Sequence, residues 1–122
     1  MSDRRYTVAE ANALLPELRE RLPRLRDARQ ALIEASERLT ERVAADPGGV
    51  TEPAWFPAQH ALRTEMLALA DLGLVLRDAG IGLVDFPAER DDEPVFLCWR
   101  LGEEDIGFYH GERTGLSGRK PL

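Results

Sequence analysis

Cysteine and histidine are nearly missing from this chain. Cys98 is its only cysteine, and His60 and His110 are its only histidines in 122 residues. One cysteine cannot close a disulfide within the chain, so a disulfide framework is excluded. The zinc-ligand spacings CxxC and HExxH are absent, as is the phosphate-loop pattern GxxxxGK[ST]. Lys120 is the only lysine, against fifteen arginines. With 16 basic and 22 acidic side chains the net charge is −6. That balance argues against nucleic acid as a partner, because such binding rests on neutralising phosphates. No apolar run approaches the length needed to cross a bilayer, so no membrane partner is expected. The opening MSDRRYTVAE carries charges where a signal peptide has an apolar stretch, and a cytoplasmic protein is expected.

What is present reads as one globular domain over residues 1–122. Thr7 and Glu10 have capping-box spacing, in which each side chain can answer the other's backbone amide. A first helix is expected over 7–45. Leu18, Leu25, Leu32 and Leu39 recur every seven residues, with Leu15, Leu22 and Val43 between them, and Arg29 and Ser36 interrupt the second row. Pro16 and Pro23 should bend this helix without ending it, since the apolar stripe continues past both. The ADPGGV segment stops it. A second helix is expected over 53–73, carried by Trp55, Leu62 and Leu69 and closed near Gly73.

Beyond Gly73 the period shortens. The segments LVLRD, IGLVDFP, PVFLCWRL and IGFYHG read as strands, with Pro87 stopping the second and AERDDE and GEED as turns. Residues 74–110 are thus expected to form a β-meander, and 111–122 a basic, glycine-rich tail. The fold class is α+β: a long bent antiparallel helical hairpin packed on an antiparallel meander of three or four strands.

The segment FLCWRLGEEDIGFYHG holds most of the chemistry-bearing residues. A turn centred on Glu103 and Glu104 would pair Leu101 with Ile106, Trp99 with Phe108 and Leu97 with His110. That register puts Leu97, Trp99, Phe108 and His110 on the core face, with Phe96, Cys98, Arg100 and Tyr109 on the other. His110 and Glu112, two apart, can point the same way, and Asp85 can join them from the neighbouring strand. This histidine–carboxylate set suits a divalent metal ion, although a histidine packed at the end of a core face explains His110 without a ligand. Arg100 and Glu103 complete the hairpin candidates. Cys98 lacks an obvious base and reads as a small buried hydrophobe. In the tail, Arg113, Arg119 and Lys120, with Gly115 and Gly118, can close around an anion, although a flexible basic tail folded over the acidic β-region explains them without a ligand and is the favoured reading.

These strings also carry a resemblance. YTVAEANALLPELR, GLVDFPA at 82–88 and LCWRLGEEDIGFYHGERTGLSGRKPL at 97–122 resemble a bacterial and archaeal family, the domain of unknown function DUF2203. The resemblance implies a single domain and carries over no activity, cofactor or functional residue. The functional expectation therefore rests on the residues. First stands a non-enzymatic interaction or structural protein, a homodimer associating through its helices. Leu32, Leu39 and Val43 lie on the part of helix one that outruns the sheet. The alternative is a small-ligand or divalent-metal site on the meander, built from Asp85, Arg100, Glu103, His110, Glu112 and Arg119.

Overall fold

The computed structural model describes residues 4–46, 48–49, 51–114 and 118–122. Helix α1 (Val8–Ala45) starts where the capping box places it. The Thr7 hydroxyl accepts from the Glu10 amide at 3.1 Å, and the Thr7 amide donates to Glu10 Oε1 at 2.8 Å. The helix is long and bent, and it runs through Pro16 and Pro23. Both prolines lie off the buried stripe of Ala11, Leu15, Leu18, Leu22, Leu25, Ala28 and Ala35, so packing holds the helix together across the lost amide bonds.

Helix α2 (Trp55–Asp71) is two residues shorter at each end than the sequence suggests. At its C-terminus Gly73 takes a φ of 76°. The Leu74 amide donates to the Leu69 carbonyl and the Gly73 amide to the Ala70 carbonyl, the two bonds of a Schellman cap. Contacts with α1 run in opposite order along the two helices. Trp55 Nε1 donates to Ser36 Oγ near one end, and Arg21 and Arg24 hold Glu65 nearer the other. Among the described residues no helix is long and apolar enough to cross a membrane.

Five strands follow, not three or four: β1 (Val75–Asp78), β2 (Leu83–Arg90), β3 (Glu93–Arg100), β4 (Phe108–Gly111) and β5 (Lys120–Pro121). They form one antiparallel meander in chain order. The fifth strand arises in the tail, which has no apolar period of its own. Pro87 does not stop β2. Strand β1 pairs no further along β2 than Asp85, so the missing amide of Pro87 faces no ladder partner there. The β2–β3 turn narrows to Asp91 and Asp92, at φ 54° and 63°, the left-handed pair a two-residue hairpin requires.

The β3–β4 register differs from the expected one by a single residue. Leu97 pairs with Tyr109, Phe96 with His110 and Cys98 with Phe108. The cause is local. Instead of spanning a tight turn, Glu103 folds back on β3: its amide donates to the Arg100 carbonyl, its Oε1 accepts from the Arg100 amide, and its carbonyl accepts from Trp99 Nε1. An offset of one exchanges the two faces of a strand. Tyr109 therefore joins the core face, while Phe108 and His110 move to the face of Phe96 and Cys98.

The core lies between the helices and the inner sheet face. Val84, Phe86, Ala88, Val95, Leu97 and Trp99 pack with Tyr6, Leu15, Leu18, Leu22 and Leu69. The N-terminal end of α1 is tied to the sheet by polar contacts as well: the Ile106 amide donates to Asn12 Oδ1, and the Tyr6 amide donates to the Pro87 carbonyl. Among the described residues neither α1 nor α2 contributes to the core from the outer sheet face.

Candidate metal centre

The outer face follows from the pairing. Asp85 sits opposite Cys98, which sits opposite Phe108, and Phe96 sits opposite His110 in the next row. Asp85, Cys98 and His110 are 0 %, 1 % and 2 % exposed, an unusual depth for a carboxylate. Their potential ligand atoms all lie within 4.8 Å of one another.

The His110 ring reaches across β3. Its Nδ1 lies 2.7 Å from the Gly111 carbonyl oxygen, which can only accept, so that nitrogen carries hydrogen and points the ring. Its Nε2 lies 2.9 Å from Asp85 Oδ2, and one proton between them makes that bond. The same oxygen accepts from Arg77 Nε at 2.7 Å. Arg77 stands where the β1–β2 register shifts, between Leu76 and Asp78, and an irregularity of this kind re-aims a side chain. Asp85 Oδ1 is buried and has no hydrogen-bond partner. An orphaned buried acceptor costs about 1–3 kcal/mol, more when charged.

Two guanidinium groups flank the trio. Arg77 lies 5.1 Å over the Phe96 ring, and Arg119 lies 3.9 Å over the Phe108 ring. Arg119 Nη2 donates to both oxygens of Glu103, while its Nε is buried without a partner. Burial, and then the charge of Asp85, push the Cys98 thiol up to about 11, with Arg119 pulling the other way. Such a thiol is no nucleophile at neutral pH. The order of groups agrees, because both His110 nitrogens face oxygens and neither is left as a base for Cys98.

Of the residues singled out in the sequence, the structure joins Asp85 to His110 and sets the Glu103–Arg119 pair beside them. Glu112 is exposed, because β4 ends at Gly111 and the alternation ends with it. The Arg100 side chain is exposed, and His60 is exposed on α2 in the other layer. In the tail, Arg113 is exposed and Gly115 lies outside the described residues. On distal α1, Leu32 and Leu39 are half-buried and Val43 is exposed. Sequence reasoning missed Cys98 as a companion of Asp85 and His110. The correct register would have found it. It also missed Arg77, whose position in an irregular strand leaves no periodic signal.

An α+β protein with a buried Asp–Cys–His group on the outer face of its sheet is the class that fold and site define. The chain belongs to the family described as uncharacterized conserved protein (DUF2203), whose model matches residues 4–122. No curated protein and no solved structure matches it.

Proposed function

We propose that this protein binds a divalent transition-metal ion of the zinc class through Asp85, Cys98 and His110. The observation that carries this reading is a carboxylate, a thiol and an imidazole buried together with their ligand atoms within 4.8 Å of one another, Asp85 Oδ1 having no nitrogen or oxygen donor. Mixed sulfur, nitrogen and oxygen donors suit zinc or cobalt and do not suit magnesium or calcium. The Gly111 carbonyl on Nδ1 is the outer-shell contact that leaves Nε2 to a metal, and Arg77 holds the carboxylate by its other oxygen. In a tetrahedral site the donor atoms stand about 3.3–3.6 Å apart. The ligand atoms of the three residues now lie within 4.8 Å of one another. Binding displaces the thiol proton and the proton shared by His110 and Asp85, so affinity rises with pH.

Cobalt(II) titration of chelator-treated protein tests the proposal. One equivalent should produce a thiolate-to-cobalt charge-transfer band in the near ultraviolet. The band should vanish in Cys98→Ser, and binding should weaken sharply in His110→Ala. A folded wild-type chain that gives no such band overturns it.

A second reading, self-association through the helices, is favoured by a separate observation. Phe56 is 75 % exposed and forms one wall, with Leu39, Pro53 and Trp55, of a pocket of about 400 Å³. Knob and pocket share one patch, which is what a twofold contact with a second copy uses: each Phe56 fills the pocket of the other chain.

A further inference from the structure

Resting on the metal reading above, we infer that the ion keeps one coordination position for a small monodentate anion, hydroxide or one of similar bulk, held by Arg119. Three protein donors leave a tetrahedral ion one ligand short, and a site with three protein ligands takes that ligand from solution. Among the described residues no fourth histidine, cysteine or carboxylate joins the group.

The unpartnered atoms point the same way. Among the described residues, the buried side-chain polar atoms without a partner are one acceptor, Asp85 Oδ1, and one donor, Arg119 Nε. Both belong to the same sheet face. Arg119 is stacked on Phe108, and Phe108 is the strand partner of Cys98. A metal ion answers the acceptor. An anion on that ion answers the donor.

Charge supports the same occupant. A thiolate and the Asp85 carboxylate neutralise a divalent ion, and Glu103 neutralises Arg119 through its Nη2. Arg77 then leaves one positive charge over beside the centre, on a side chain that reaches solvent. That surplus attracts an anionic ligand over a neutral one, less strongly than a fully buried charge would because solvent screens it in part. The depth of the three ligands restricts the anion to a few atoms. Its approach is from the outer face, past Arg77, whose side chain is 42 % exposed.

The experiment is an azide titration of the cobalt(II)-loaded full chain, followed in the visible d–d bands. Saturable change in those bands is expected, with the thiolate charge-transfer band retained. Arg119→Gln should weaken azide about tenfold or more, the range one charge-assisted hydrogen bond supports, at unchanged cobalt stoichiometry. Arg119→Lys keeps the charge without the fixed Nε donor and should fall between the two. It also serves if Arg119→Gln does not fold. Bands that azide leaves unmoved, in protein that shows the charge-transfer band, overturn this inference and leave the metal reading standing. Wild-type affinity for azide in both variants overturns the assignment of Arg119. Absence of the charge-transfer band from the start overturns both readings.

Discussion

Cys98 holds a proton that the unfolded chain gives up earlier. Burial first, and the Asp85 charge second, raise its thiol from 9.0 to about 11. Between those values the native state binds more protons than the unfolded state, so stability falls as pH rises through the window. The loss at its upper end is roughly 2–3 kcal/mol, from the size of the shift. Urea denaturation in chelator at a series of alkaline pH values should show this slope, and Cys98→Ala should flatten it from pH 9 onward. Burial also raises the Tyr6 hydroxyl, so part of the slope persists in the variant above pH 10. An unchanged slope from the start of the window would mean that the Cys98 thiol is ordinary. The alkaline limb of the metal-free chain thus tests the environment of one ligand independently of any metal.

At the scale of elements, the turn between the two helices is held by Glu52. Its Oε2 accepts from Arg42 at 2.6 Å, and its Oε1 accepts from Arg38 and from the Ala54 amide. Desolvation pushes its pKa up, but the Arg38 and Ala54 hydrogen bonds and the two positive charges outweigh that and leave it below 4.5. A depressed carboxylate contributes stability that is complete above the unfolded value and is lost as pH falls through the folded one. Thermal melts from neutral pH downward should therefore show a shallower acid limb below pH 4.5 in Glu52→Gln than in wild type. The same limb in both would show that the arginines do no more than solvent does.

Elements written by local chemistry were legible in the sequence. The Thr7–Glu10 box and the Gly73 cap each need only neighbours along the chain, and both were found where spacing put them. The β3–β4 register was not legible, because it depends on Glu103 bonding back to Arg100 and Trp99 rather than on apolar alternation. That one offset decided the site, moving His110 from the core face to the face of Cys98. Asp85 and His110 were already put together from the sequence. The Cys98 thiol between them was not, because the expected register set it on the opposite face from His110.

At the scale of the molecule, the two layers are unequal in length. Helix α1 has 38 residues and α2 has 17, and the α1 residues in the shared core end at Leu25. The remainder of α1 is covered on one side by α2, and Val43 on α1 and Phe56 on α2 are left 46 % and 75 % exposed. If a second copy covers this end, the proposed metal centre lies away from the contact, on the outer face of the sheet. Assembly and metal binding are then separable. Native mass spectrometry should give a dimer for the wild-type chain and a monomer for Phe56→Glu, which introduces a charge where the partner's pocket would receive a ring. Phe56 is too exposed for its loss to cost the fold much, so a monomer would report the contact itself. The same variant should keep the cobalt charge-transfer band, while Cys98→Ser should lose the band and remain a dimer. A wild-type monomer would remove the reason for proposing the contact. Joint loss of dimer and band in either variant would mean that one structure serves both, which helices and sheet face placed this far apart along the chain's architecture give no reason to expect.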